Sequence, residues 1–425
     1  MDILNLVKEQ YDYMVSMRRH LHENPEVSNK EYNTVKFIMQ QLDAAGVENE
    51  EIENGGVIGW INKGKPGPCI LLRADCDALP TKECPNNLKG PKVCVSKVEN
   101  AGHLCAHDAH TSMLIAEAKI LNQIKDSING SVVFLFERGE EGTGNIAYIF
   151  RYLQAHKKEF PITTCYGAHV KNNVPIGKVC VQDGPMLSGV GSFRTYIKGF
   201  GGHGSRPDLS NNPIDCFNAI YSGMNTIRSR YFSPFNPVAF SVCEVSSGSS
   251  VNVIPTDLFF QGTYRYFNLD DGALFREKLL KLCKDQCDLY KMELDLREVP
   301  RYLPVTNPKK TASVLQHGVA KYLGSDVLTD AEPWMGSESF GSFCAQYPCV
   351  FAYIGTENPE TGAGAGHHTP EFDIDESCMI YGAVTAISYV LQFMEEQPDL
   401  SEFKPLFDDV EDLIDYCFWL QVYDR

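Results

Sequence analysis

The sequence predicts an α/β protein: a mostly parallel sheet with helices on both faces, interrupted by a smaller inserted α+β sandwich. Three observations carry this reading. Short apolar strands alternate with helical patterns near both ends of the chain. The middle third switches to period-two alternation between two helices. Pro300, Pro304 and Pro308 then mark the exit from that middle third. At 425 residues the chain is long for one core, which favours two domains. The first takes residues 1–186 and 302–396, the insert residues 187–301, and an acidic helical tail residues 397–425.

The elements follow in order. Residues 69–74 form an apolar run that ends in Asp75-Cys76-Asp77-Ala78-Leu79-Pro80, where proline stops a strand. Met113, Leu114, Ala118, Leu121 and Ile124 recur at helical spacing, so a helix is expected to open near His110. Residues 131–136 read as a second buried strand, followed by Glu140-Glu141 in a turn, and residues 166–170 as a third strand end at His169. In the insert, residues 192–198, 238–245, 258–267 and 292–297 read as strands. One insert helix carries Ile214, Phe217, Tyr221, Met224 and Ile227 on a face, and the second spans residues 270–289. A strand at 349–354, a loop to His368 and a helix over 375–395 return to the α/β pattern. In the tail, Phe403, Leu406, Val410 and Leu413 suggest one more packed helix.

Composition excludes several classes. The 43% apolar and 22% charged residues are globular values. The net charge is −17, which disfavours binding to a phosphate backbone; nucleic acid is not an expected partner. No apolar run approaches a membrane span, so no membrane partner is expected. The first residues lack a basic segment followed by an apolar core, so no signal peptide is expected. Fifteen cysteines without a C-x-x-C pair then suggest reduced thiols in a cytoplasmic protein. Cys283 and Cys287, four apart on a helix, read as packing.

The chemistry concentrates in Cys105-Ala106-His107-Asp108-Ala109-His110, Glu140-Glu141, His169 and His368. Cys105 and His107 alternate, so an extended backbone would point both to one side. A thiolate among imidazoles and carboxylates favours zinc, cobalt, nickel or manganese over calcium or magnesium. Adjacent carboxylates in a turn can divide the work, one binding metal while the other holds the attacking water. A nucleophilic Cys105 paired with a histidine is the competing chemistry, but it needs no carboxylate pair. In the insert, Gly202-His203-Gly204 sits in a tight turn. Asn252 and Arg265 lie on a neighbouring hairpin, where a guanidinium could grip a carboxylate.

Together these motifs resemble the dinuclear amidohydrolases of the aminoacylase/carboxypeptidase clan. The nearest branch is that of hippurate hydrolase, indole-acetyl-amino-acid hydrolase and N-acetyl-diaminopimelate deacetylase. The resemblance runs over residues 8–395. It starts at Arg18-Arg19-His20-Leu21-His22-Glu23-Asn24-Pro25-Glu26 and passes through Asp75-Cys76-Asp77 and the motifs above. Asn252-Val253-Ile254-Pro255, Gly262-Thr263-Tyr264-Arg265, Met335-Gly336-Ser337-Glu338 and His368-Thr369-Pro370 complete it.

The resemblance implies two divalent ions per subunit (Mn, Zn, Co or Ni) on Cys105, His107, Glu141, His169 and His368. It implies Glu140 as general base and Asp77 as support for the metal site. Asn252, Arg265, Gly336 and Ser337 would bind the substrate's carboxylate. The insert would be a lid and dimerisation domain, with His203 stabilising the oxyanion in the partner subunit of a homodimer. The implied activity is metal-dependent hydrolysis of N-acyl amino acids. A carboxypeptidase or dipeptidase, and an inactive homologue serving as a binding subunit, are the alternatives. Two positions depart from the branch, which usually has Gly at Ala106 and Asp at Ser339. Residues 81–102, with Lys82, Lys89, Lys92 and Lys97, also depart where the branch shapes the substrate end of its cleft.

Overall fold

The computed structural model describes residues 2–142, 145–418 and 421–423. The chain divides into two compact units. One comprises residues 1–186, 306–332 and 342–410; the other comprises residues 187–305, 333–341 and 411–425.

The first unit is built on an eight-stranded sheet. Its order is Glu48–Ile52, Gly56–Ile61, Ser131–Glu137, Cys69–Asp75, Ile162–Pro175, Cys349–Glu357, Val179–Cys180 and Leu328–Thr329. The four middle strands, from Ser131–Glu137 to Cys349–Glu357, run parallel. An antiparallel hairpin extends one edge, and Val179–Cys180 pairs antiparallel near the other. Cys69–Asp75 and Ser131–Glu137 are buried at every position, as strands covered on both faces must be. Ile70, Leu72, Phe134, Val350 and Ala352 share one core with Met113, Leu114 and Leu121 of the His107–Gln123 helix and Met379, Ala383 and Ile387 of the Cys378–Glu396 helix. Each such side chain contributes about 1.5–3 kcal/mol when fully buried. The alternate residues Leu71, Val133, Leu135 and Phe351 are equally buried, so the opposite face is covered too.

Cys378–Glu396 is long and apolar enough to cross a membrane by composition, contrary to the sequence expectation, but 78% of its apolar window is buried inside the unit. Its apolar surface is spent on the core.

Two boundaries differ from expectation in ways that matter for the site. The helix opens at His107 rather than near His110, and Cys105 sits in a turn rather than an extended segment. Ala106 supplies the bend with φ 64° and ψ 26°. His169 is not at a strand end: Ile162–Pro175 continues beyond it, paired with Cys349–Glu357, after the pairing with Cys69–Asp75 stops at Arg73 and Gly167. Cys69–Asp75 itself ends two residues further on, at the level of the buried His169.

The second unit carries an antiparallel sheet in the order Ala239–Ser246, Asp257–Tyr266, Gly189–Lys198, Glu293–Tyr302 and Gln421–Tyr423. Along Asp257–Tyr266 burial alternates strictly, with Leu258, Phe260, Gly262, Tyr264 and Tyr266 inward. They pack on the helices Pro213–Arg230 and Leu269–Tyr290. The buried stripe of the first helix is Cys216, Ile220, Met224 and Ile227, while Ile214 and Tyr221 are exposed. Cys283 and Cys287 are buried in this core, as read from their spacing. Among the described residues of the tail, Val410–Phe418 forms a helix. Its expected extent includes Trp419, Leu420, Asp424 and Arg425, which lie outside the described residues.

Candidate metal centre

In the first unit the predicted ligands converge. Cys105, His107 and Glu141 place their ligand atoms within 4.8 Å of one another. His368 Nε2 lies 3.0 Å from Glu141 Oε1. His169 Nε2 lies 3.4 Å from the Cys105 sulfur. Cys105 therefore sits between two groups of donors.

Each histidine's outer contacts set its inner nitrogen. A carboxylate only accepts, so His107 Nδ1 donates to Asp77 Oδ1 at 2.9 Å, leaving the Nε2 lone pair facing Glu141 Oε1 at 4.0 Å. That Nε2 is buried and makes no hydrogen bond among the described residues, the state expected of a ligand atom aimed at a cation. His169 Nδ1 donates to the Val170 carbonyl at 2.7 Å, which turns its Nε2 toward the Cys105 sulfur at 3.4 Å. His110 is different, although it lies within 4.8 Å of His107 and His169. Its Nδ1 donates to Asp75 at 2.7 Å and its Nε2 accepts the Val170 N–H at 3.1 Å, so both nitrogens are occupied and it braces the site.

The electrostatics also fit a cation. Burial pushes the Cys105 thiol well above its ordinary value; His107 opposes this, while Glu141 and Glu140 reinforce it. A divalent ion supplies the positive charge that converts such a thiol to a thiolate ligand. Burial also works against the charge of Asp77, but hydrogen bonds from His107 and Ser28 outweigh it and hold its pKa below the usual carboxylate value.

The surrounding charges position the site. Asp77 Oδ2 accepts the Glu141 N–H at 3.0 Å, tying one carboxylate to both His107 and the glutamate turn. Glu31, fully buried, accepts the Gly139 N–H at 2.8 Å and faces Arg138 Nε at 3.0 Å. Gly139 has φ 66°, and a Cβ there would collide with Asn145. Glu140 follows directly and is buried. Beneath the helix start, Asp108 meets Arg18 at 2.9 Å and His22 Nδ1 at 2.8 Å, and Glu83 meets His22 Nε2 at 2.9 Å. With both ring nitrogens on carboxylates His22 donates twice, and its pKa is raised although burial and Arg18 oppose this. Lys92 is buried against Glu83 at 2.8 Å. Within the departing segment 81–102, Lys92 therefore belongs to this internal network.

The second unit holds the remaining predicted residues in two separate groups. His203 pairs with Val253 across a two-stranded ribbon, and Gly204 N–H donates to the Asn252 carbonyl at 2.8 Å. His203 Nδ1 accepts the Ser205 N–H at 3.2 Å, so in the neutral ring the proton is on Nε2, and the side chain is exposed. Arg265, half-buried, donates to Ser337 Oγ at 2.9 Å, and the Gly336 carbonyl accepts from Ser188 N–H at 3.0 Å. Asn252 precedes the strand Asp257–Tyr266 and Arg265 stands near its far end. At the usual rise per residue these two side chains are roughly 30 Å apart. The expected joint grip of Asn252 and Arg265 on one small carboxylate is therefore not available within a single chain. Ser339 is buried and its hydroxyl lies 3.3 Å from Glu338 Oε1.

Residues 71–392 match peptidase family M20/M25/M40. The chain belongs to this family. It is 31% identical over 92% of its length to thermostable carboxypeptidase 2 of Saccharolobus solfataricus, covering 97% of that protein. It is 32% identical over 84% of its length to the hippurate hydrolase of Campylobacter jejuni, covering 92% of that protein. The crystal structure of YxeP from Bacillus subtilis, a dinuclear metal-binding peptidase of the M20 family, matches 91% of this chain and 99% of its own with a TM-score of 0.75 and 28% identity. As an M20 hydrolase the chain is an enzyme of metal-dependent amide or peptide hydrolysis.

Three residues of this M20 site escaped the sequence reading. Asp75 stands two before Asp77, a spacing that puts both carboxylates on one side of an extended end, and this signal was readable. Glu31 carries no local signal. His367 was masked by its neighbour His368.

Asp77 offers a direct check. Asp77→Asn keeps the shape but removes the charge behind His107, and such partners are typically worth about 10–100-fold in metal affinity. Metal retained after dialysis against a graded chelator series should fall accordingly. Retention equal to wild type would leave Asp77 a packing residue.

Proposed function

We propose that this enzyme hydrolyses the amide bond of N-acyl amino acids, with Cys105, His107, Glu141, His169 and His368 holding two divalent ions (manganese, zinc, cobalt or nickel). Such ions supply Lewis acidity toward a carbonyl oxygen and toward water. Glu140 takes the proton of the attacking water and delivers it to the leaving amine. The carrying observation is the buried Glu140 next to Glu141, with both carboxylates acting on the Cys105 thiol. Glu141 stands with His368 and the metal group, and the buried Glu140 directly before it is the carboxylate assigned to proton transfer.

Arg265, Gly336 and Ser337 are the candidate anchors for the substrate's α-carboxylate. The separation of His203 and Asn252 from Arg265 supports a homodimer in which the exposed His203 Nε2–H serves the partner's oxyanion. A reducing cytoplasmic location is part of this reading, in keeping with the free thiols of Cys69, Cys76, Cys105 and Cys378 in the interior.

Carboxypeptidase action is the second reading, because a carboxypeptidase and a hippurate hydrolase are similar to this chain to the same degree. Metal-loaded enzyme should be given N-acetyl and N-benzoyl amino acids beside dipeptides sharing the same C-terminal residue. The expected result is a higher kcat/KM on the N-acyl compounds. Preference for the dipeptides would assign peptidase function instead, and failure on both with metal fully loaded would favour an inactive binding homologue.

A further inference from the structure

We propose that one internal water molecule joins the Glu117 carboxyl to the Tyr166 hydroxyl, in a cavity between the helix that opens at His107 and the strand that carries His169. The cavity measures about 20 Å³ and lies inside the first unit. A single buried water needs roughly 10–15 Å³ of such room. Glu117 and Tyr166 both line the space, and none of the assigned metal ligands does. Its remaining walls come from the Cys69–Asp75 strand at Arg73 and Ala74, and from Gly382 of the Cys378–Glu396 helix.

Helical periodicity puts a carboxyl there. His110, Met113, Leu114 and Glu117 stand at i, i+3, i+4 and i+7, and all four line the cavity. The helix is buried at every position from 107 to 118, so Glu117 has no route to solvent along its own element. Burial raises its carboxyl well above the ordinary value, and no neighbouring charge or hydrogen bond opposes the rise. At neutral pH the group keeps its proton, and it offers one O–H donor beside acceptor lone pairs.

The charged side chains that share the cavity are already committed. Arg73 Nε donates to Glu137 at 2.7 Å and one Nη to Asp75 at 2.9 Å. His110 spends its nitrogens on Asp75 and the Val170 N–H. Tyr166 is the exception: it is 3% exposed, and its hydroxyl has no hydrogen-bond partner among the described residues. Burial pushes that hydroxyl up and Glu117 adds to the effect, so the two groups are within electrostatic reach without bonding each other. A buried hydroxyl left unpaired is rare, and an unseen water is its ordinary explanation. The carboxyl and the hydroxyl together supply the two or more polar partners that such a water requires. The link ties the helix of His107 to the strand of His169, two elements that carry metal ligands.

The test locates the water in a crystal structure of the metal-loaded wild type and counts long-lived internal waters in solution by relaxation dispersion of the water oxygen signal. The count is compared among wild type, Glu117→Gln, Glu117→Met and Tyr166→Phe. The wild type is expected to show one water within hydrogen-bond distance of both Glu117 and Tyr166. Glu117→Gln retains a donor and an acceptor and should keep the wild-type count. Glu117→Met and Tyr166→Phe each remove a partner at nearly constant size, and each should lose one long-lived water. If one of them fails to fold by circular dichroism, the other is read alone; if both fail, the wild-type crystal structure decides. An empty cavity in the wild type, or a water touching only one of the two groups, would overturn the proposal. A wild-type count in folded Glu117→Met or Tyr166→Phe would overturn it as well.

Discussion

Replacing Glu140 with Gln should lower kcat by at least about 10²- to 10⁴-fold, the range that general acid–base catalysis contributes, while metal content stays near wild type. Gln matches Glu in size and retains hydrogen bonding but cannot accept the proton. The turn that holds it is tied down on both sides. Glu31 fixes the preceding Gly139 N–H at 2.8 Å, and Asp77 fixes the following Glu141 N–H at 3.0 Å. The substitution therefore removes the base and leaves its neighbours in place. Glu141→Gln provides the contrast: its carboxylate meets His368 at 3.0 Å and groups with Cys105 and His107, so this variant should lose metal first and activity in consequence. Steady-state rates beside elemental analysis separate the two. Turnover retained by Glu140→Gln at full metal loading would remove Glu140 as the base.

The sequence exposed the metal chemistry because its donors are clumped and chemically unusual. Cys105, His107 and His110 within six residues have few structural uses together, and the parallel strands that position them are almost wholly apolar. Periodicity also fixed which face of Asp257–Tyr266 turns inward. Backbone handedness was not legible. The left-handed turn at Ala106 moved the helix start to His107, and the one at His368 brought His367 against Cys105. Both lie at residues other than glycine, where sequence gives no warning. The burial of Lys92 was not legible either, since only tertiary contact shows a lysine paired inside the molecule. Long-range spacing was equally hidden: Asn252 and Arg265 are thirteen positions apart in sequence, but an intervening strand holds them at opposite ends.

That last separation makes the subunit question testable. Neither His203→Ala nor Glu140→Gln alone is expected to retain more than traces of activity. Mixing equal amounts under subunit exchange should restore about a quarter of the wild-type rate, on simple two-fold pairing. Half of the dimers are then hybrids. In each hybrid, the chain carrying His203→Ala keeps its own Glu140 and receives an intact His203 from its partner, so its site works. The other site lacks both the carboxylate base and the borrowed imidazole, so it is dead. One working site in half of the dimers gives one quarter. His203 is exposed and its Nδ1 accepts the Ser205 N–H at 3.2 Å. If His203 instead acts within its own chain, every site in the mixture carries a lesion and no ratio recovers activity. Recovery near zero, with exchange verified by differently tagged chains, would reject the cross-subunit role while leaving the metal centre and Glu140 untouched.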